Sequence, residues 1–393
     1  MIQTYNHLYI HLVRIALYLE GIHYNITSLI DILGLVQGLF LGAILILESK
    51  KKKPTLFLGL FLLTYSFELL NAVLEDLNIL DLHPRLLFLP INFLYLIIPL
   101  FYLYVKSITN SITTRKNVIF ILLPGIIEFI FFTVVFLLPT QVKLDTWNTT
   151  NAFGVILDLL TLVSLPYSIY YVVRIIKHIN SHRKKAEDYY SNLDGKLLSW
   201  AKGVILFIII FHSFWMIEIF QEDLFFKTYT YPILSAINVI FIFWIGISGL
   251  RQSKVIGSKD ESSDENVEIE PLDDSQTEIN EIQDKNFQRL VHLMVEEAYY
   301  KEPNLSLADV AKTLQVSQRK LSQLINTNTD QNFNQFVNYY RVEEAKKLLK
   351  DNAYNNLSML GIAYDAGFNS KASFFSVFKK FTSVTPNTFK NQV

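Results

Sequence analysis

Arg319, Ser322 and Gln323 fall on one side of the stretch 318–325, and Lys371, Ala372 and Ser376 point outward from the stretch 371–380. Guanidinium, hydroxyl, amide and ammonium groups pair with base edges, and a small apolar side chain meets a thymine methyl. The chemistry on offer is readout of a DNA major groove. Lys379 and Lys380 suit phosphate instead, which carries affinity without sequence information. An ordinary solvated face is the alternative for Arg319 and Gln323, but a doubled arrangement favours base contact.

A second polar set lies inside apolar stretches. Asp31, Glu68, Asn71, Asn92, Asp158 and Glu218 come within about two helical turns of one end of their segments. Glu128 and His212 lie deeper. Carboxylates in such surroundings are costly and mark functional sites, which points to a pocket for a small, cationic ligand or for protons lined by Asp31, Glu68, Asn92, Asp158 and Glu218. Side chains at helix ends also reach headgroup water, and that second reading stays open.

Other chemistry is missing. The 393 residues contain no Cys, so disulfides and thiolate sites are excluded. The eight His form no HExxH, and neither a GxSxG elbow nor a glycine-rich phosphate loop occurs. No kinase ATP-site motif or receiver-like acidic cluster is present, and no Lys lies mid-span in 229–250 for a retinal Schiff base. The expectation is a protein that is not an enzyme, with no catalytic residues, metal or cofactor.

The elements that position these residues are helices throughout. Seven apolar stretches, near 26–47, 55–74, 86–105, 118–138, 152–173, 204–221 and 229–250, have the roughly 18–22 residues needed to cross a bilayer. Without water, each must be helical. Pro99, Pro124, Pro166 and Pro232 are expected kinks. The first, third and fifth loops hold fourteen Lys or Arg, while the alternate loops hold only Arg85, Lys143 and Lys227. That asymmetry puts the N-terminus outside and everything after Leu250 in the cytoplasm. Residues 1–25 carry no basic n-region; 8–19 read as an amphipathic helix on the outer interface.

Composition then changes twice. Residues 255–284 contain eleven Asp or Glu against Lys259, which predicts an unfolded acidic linker over 251–284. It is read as a solvated tether, with competition for a DNA-binding face as the sharper alternative. From Lys285 onward there are fourteen Lys or Arg against nine Asp or Glu, a balance that suits a polyanionic partner. Leu290, Val291, Met294 and Ala298 share a face of a helix that Pro303 ends. Ser306 with Asp309 forms a capping-box pattern, and Ser317 caps a second helix with Leu321, Leu324 and Ile325 inward. This is a helix-turn-helix, whose second helix enters the major groove. After a connecting helix over 333–350 the pattern recurs: Ser358 opens a helix, Gly367 turns the chain, and Ser370 caps the next. Phe374, Val377, Phe378 and Phe381 face inward there and Phe375 outward, and Thr385-Pro386 begins a last helix.

Residues 286–390, with Arg341, the run Ala345-Lys346-Lys347-Leu348-Leu349 and "IAYDAGFNSKASFFSVFKKFTSVTP", resemble the DNA-binding domain of the AraC/XylS family of transcription regulators. The resemblance implies two recognition helices in adjacent major-groove segments, with base contacts from Arg319, Ser322, Gln323, Lys371, Ala372 and Ser376. The family often has Arg where this chain has Ser376, which weakens guanine readout there; Phe375 is then expected at a thymine methyl. Arg341 is read as structural. Together these features describe an all-α chain, a seven-transmembrane helix bundle (26–250) followed by a cytoplasmic domain (285–393) with two helix-turn-helix motifs. It is expected in the inner membrane, coupling an outside signal to promoter binding. Its expected partners are double-stranded promoter DNA, the lipid bilayer, a second copy of the chain, a small extracellular ligand and RNA polymerase. The competing function is a membrane transporter or receptor whose helix-turn-helix tail is an accessory module.

Overall fold

A computed structural model describes residues 22, 25–50, 54–109, 114–147, 152–220, 224–257, 276–354 and 356–392. The chain divides into two compact units, one from 1–178 with 199–260 and the other from 179–198 with 261–393. Apart from one isolated bridge pair, every regular element among the described residues is helical. The interfacial helix expected at 8–19 lies outside the described residues.

The first unit is built from α1 (Ile26–Glu48), α2 (Pro54–Asp76), α3 (Leu94–Ile108), α4 (Arg115–Phe136), α5 (Ala152–Tyr189), α6 (Ser199–Phe220) and α7 (Leu224–Gly257), though the end of α5 belongs to the second. Five of these, α1, α2, α4, α5 and α7, carry stretches long and apolar enough to cross a membrane. In α6 the apolar stretch among the described residues is Ser199–Phe211, and α3 has only 15 residues. Pro99, Pro124, Pro166 and Pro232 all lie inside helices. The unit has an apolar core, with some polar side chains buried in it, and it also exposes large apolar side chains. Phe40, Phe120, Leu162 and Ile240 are exposed, while Ser28, Asp31, Ser66, Glu128 and Asn238 are buried.

A stripe of small residues explains how tightly α1 packs. Gly34, Gly38 and Gly42 recur every fourth residue and face α2 and α7. A Cβ on Gly38 would collide with Ser66 Oγ, and one on Gly59 would stand 2.8 Å from the Gly42 carbonyl. Close backbone approach through small residues is the usual device where helices associate without a hydrophobic drive between them. Sequence reading missed this stripe, although its four-residue spacing is plain.

The third expected span needs correction. Helix was expected from 86, but Pro84–Leu86 is a 3₁₀ turn and α3 begins only at Leu94. Pro90 is the cause: it lacks an N–H and disfavours helical geometry in the residue before it. The backbone donors left free at the start of α3 are taken by carboxylates. Phe93 N–H donates to Glu68 Oε1 at 2.7 Å, and Tyr95 N–H donates to Glu128 Oε2 at 3.0 Å.

The second unit contains α8 (Gln276–Val295), α9 (Leu307–Leu314), α10 (Gln318–Thr329), α11 (Phe333–Lys350), α12 (Met359–Asp365), α13 (Lys371–Thr382) and α14 (Pro386–Gln392). Residues 276–284, expected to be unfolded linker, are helical and belong to α8; in the sequence, apolar residues recur there at helical spacing. The helix stops at Val295, before the expected end; Ala298 takes a left-handed backbone and leads into a 3₁₀ turn, yet still packs against the same apolar core as Leu290 and Met294. Two hydrophobic cores follow. One joins Leu290, Met294, Val310, Leu314, Leu321, Ile325 and Phe336; the other joins Leu348, Ile362, Phe368, Phe374 and Phe378. Helix α11 supplies both, with Phe333, Phe336 and Val337 to the first and Val342, Ala345 and Leu349 to the second.

Candidate nucleic-acid interface

Each recognition helix is set by a serine cap. Ser317 Oγ accepts from Lys320 N–H at 3.2 Å at the start of α10, and Ser370 Oγ accepts from Ser373 N–H at 3.1 Å at the start of α13. The preceding helices are set likewise: Ser306 and Asp309 form a capping box on α9, and Ser358 Oγ accepts from Gly361 N–H on α12. The turn between α12 and α13 rests on Gly367, at φ +89°. A Cβ there would also stand 2.5 Å from the Tyr300 carbonyl oxygen, so the second helix-turn-helix leans directly on the backbone of the 3₁₀ turn that precedes α9.

With Leu321, Leu324 and Ile325 buried, α10 turns Arg319 and Gln323 outward and leaves Ser322 half-buried beside them. On α13, burial of Phe374 and Phe378 puts Lys371, Ala372, Ser376, Lys379 and Lys380 at the exposed surface. Among the described residues, Arg319, Lys371, Lys379 and Lys380 enter no ion pair, so their charges remain available to an outside anion. One expectation fails: Phe375 is half-buried and packs edge-on against Phe374 at 5.7 Å, with the Lys371 ammonium 5.6 Å from its ring centre. The aromatic core draws it in, which removes it from an outward thymine-reading position.

Arg341 is structural, as its place in α11 suggested. Its side chain is 1% exposed. Nε donates to the Tyr300 carbonyl and Nη2 to the Glu302 carbonyl, both at 2.7 Å. Burial pushes its guanidinium down to about 10, with Glu302 opposing that shift. Nearby, Lys301 Nζ lies 2.7 Å from Glu344 Oε1. Burial works to raise the Glu344 carboxyl, but Lys301, Tyr300 and Lys347 together hold it below the usual carboxylate range.

Of the acidic set of the first unit, the side chains of Asp31, Glu68 and Asn92 are among the described residues. Asn71 Nδ2 donates to Asn92 Oδ1 at 2.8 Å, close in sequence to the Glu68–Phe93 contact, so Glu68 and Asn92 meet at the break before α3. Asp31 is buried and bonded to Ser235, and Tyr65 lies within electrostatic reach of both Asp31 and Glu68. The side chains of Asp158 and Glu218 lie outside the described residues. No cluster of three or more potential metal ligands occurs among the described residues.

Comparison with known proteins places this geometry in a class. A family model described as a helix-turn-helix domain matches residues 310–392. The chain is 37% identical over 92 residues to the uncharacterized transcriptional regulatory protein YesN of Bacillus subtilis (strain 168), covering 23% of this chain and 24% of that one. It is 34% identical over 98 residues to an uncharacterized HTH-type transcriptional regulator in the cgkA 5' region of Pseudoalteromonas carrageenovora, covering 25% and 55%. It thus spans about a quarter of the first relative and about half of the second. Among solved structures, the C-terminal domain of the two-component response regulator yesN from Fusobacterium nucleatum is 28% identical, with a TM-score of 0.24 over 27% of this chain and 98% of that one. Residues 310–392 therefore form a helix-turn-helix domain, and the relatives it resembles are named as transcription regulators.

Proposed function

We propose that this protein is a membrane-bound, sequence-specific transcription regulator, in which a bundle of membrane-spanning helices senses a signal and the C-terminal domain grips promoter DNA. The observation that carries the reading is α11. One helix feeds both hydrophobic cores and thereby holds two capped recognition helices in a fixed pair. Arg319, Ser322, Gln323, Lys371, Ala372 and Ser376 are the base-reading residues in this account, and Lys379 and Lys380 meet phosphate. The large apolar side chains exposed on the first unit, on helices long enough to cross a bilayer, support the membrane assignment. Glu68 and Asn92 are the part of the acidic set best placed for a ligand. A second copy of the chain would raise the effective concentration of reading heads on DNA.

The test is genome-wide crosslinking to DNA with the intact protein and with residues 276–393 alone, alongside a reporter fused at the carboxyl end. Discrete genomic sites and a cytoplasmic reporter are expected. A periplasmic reporter, or binding that is neither salt-sensitive nor sequence-selective, overturns the reading.

A further inference from the structure

Residues 179–198 connect α5 to α6 in sequence, yet they fold with the C-terminal unit. Helix α5 runs to Tyr189, and the next residue, Tyr190, forms an antiparallel bridge with Ser306. Ser191 is 2% exposed. Its N–H donates to the Leu305 carbonyl at 3.1 Å and its Oγ to the same oxygen at 2.6 Å. Arg341 Nη2 donates to Ser191 Oγ at 3.2 Å. From the shared helix, Asn334 Nδ2 donates to the carbonyls of Tyr190, at 3.1 Å, and Ser191, at 2.7 Å. The loop is braced within itself as well: Asp194 N–H donates to Asn192 Oδ1 at 3.0 Å, and Lys196 Nζ to the Asn192 carbonyl at 2.8 Å.

These contacts meet the reading domain at its working joints. Leu305 and Ser306 open α9, Asn334 and Arg341 sit on the shared helix, and Ser370 caps the second recognition helix. Ser370 Oγ donates to Asp194 Oδ2 at 2.8 Å. The first turn of a helix carries partial positive charge and free N–H groups, which attract phosphate. Asp194 therefore sets a negative charge beside the end of α13 that a DNA backbone would approach.

We infer that residues 190–194 form a docking clamp on the DNA-binding domain, with Asp194 competing with DNA phosphate at the start of α13. The partner that fits this surface is the chain's own fifth loop, and movement of α5 or α6 shifts the clamp. The inference rests on the DNA-reading assignment above. It routes the signal through a hydrogen-bonded loop instead of the acidic segment 258–275.

The chain has no Cys, so introduced thiols report without background. Asp194→Cys combined with Ser370→Cys, in the full chain in native membranes, is treated with a short bismaleimide and read as joined peptides by mass spectrometry. Joined peptides are expected; their absence overturns the clamp. In a second arm, the full chain in vesicles is titrated with a random-sequence duplex pool at fixed salt. Asp194→Asn is expected to tighten binding by about two- to fivefold, the range of one exposed charge contact, and Asn334→Ala, which removes two of the loop's anchoring hydrogen bonds, to tighten it as well. The cross-linked pair is expected to bind more weakly than its uncross-linked form. Unchanged affinity in all three, with the wild type binding the pool, overturns the competition even if the peptides join. A wild-type chain that binds no duplex overturns the DNA-reading assignment itself, and the competition with it.

Discussion

Arg341 and Tyr300 are joined by a 2.7 Å hydrogen bond from the guanidinium Nε to the main-chain carbonyl, in a site where almost no arginine surface reaches solvent. The bond ties the shared helix to the loop before α9, and a second, to Glu302, doubles the tie. Truncation leaves the buried Tyr300 carbonyl without this donor and takes one of two donors from the Glu302 carbonyl, which Leu305 N–H also reaches. Arg341→Ala is expected to destabilise the domain by about 1.5–3 kcal/mol, the range for losing hydrogen bonds made by a charged group. Protease resistance and the melting transition of the C-terminal unit in the full-length protein check this.

Gly367 is under two constraints at once, a left-handed backbone and a clash at 2.5 Å with Tyr300. Gly367→Ala is expected to cost about 2–4 kcal/mol, because strain and displaced backbone add. Urea unfolding should show a lower midpoint with little change in slope.

Arg319 and Lys379 should fail in different ways. Loss of a base-reading arginine costs about 1–3 kcal/mol and relaxes preference at one base pair, whereas loss of a phosphate contact weakens all sequences alike. Arg319→Ala is therefore expected to change the selected sequence. Lys379→Ala should leave it intact and reduce the salt dependence of binding by about one charge. Titrations across a salt series, with selected and scrambled duplexes, separate the two outcomes.

Glu344 ionises more readily in the folded chain than its ordinary value because of Lys301 and its neighbours. The sign follows: the stabilisation is fully present above the unfolded carboxylate value and is lost as pH falls through the lowered folded one. In Glu344→Gln, stability should be lower near neutrality and fall less on acidification. Melting temperatures between neutral pH and pH about 3 test it, since the unfolded carboxyl titrates near pH 4.

Gly38 has no room for a side chain against Ser66. Gly38→Leu should force α1 from α2 and lower the yield of folded protein in membranes, whereas Ala at exposed Phe40 on the same helix should not. Detergent-resistant folded yield is the readout.

How much of this was visible in the sequence depended on range. Caps and turns are local chemistry, so Ser317, Ser358, Ser370 and Gly367 could be assigned from neighbours within four residues, and the inward stripes of α10 and α13 from period alone. The break before α3 was also local, written in Pro90, but hydropathy averaged across it. Phe375 went astray because a helical wheel assigns one direction, while an aromatic ring bends toward its neighbours. The loop at 190–194 was unreadable for a different reason. Nothing in "YSNLD" has a period, and its partners lie 114 to 176 residues away. Main-chain carbonyls, which every residue has, do most of the binding there.

The shared helix α11 also bears on spacing. A rigid rod between two reading heads fixes their rotational phase, and B-form DNA turns about 35° for each base pair. A reader built this way has no slack for insertions: one extra base pair between its two half-footprints rotates the second off its helix, whereas inserting a whole turn moves it out of reach.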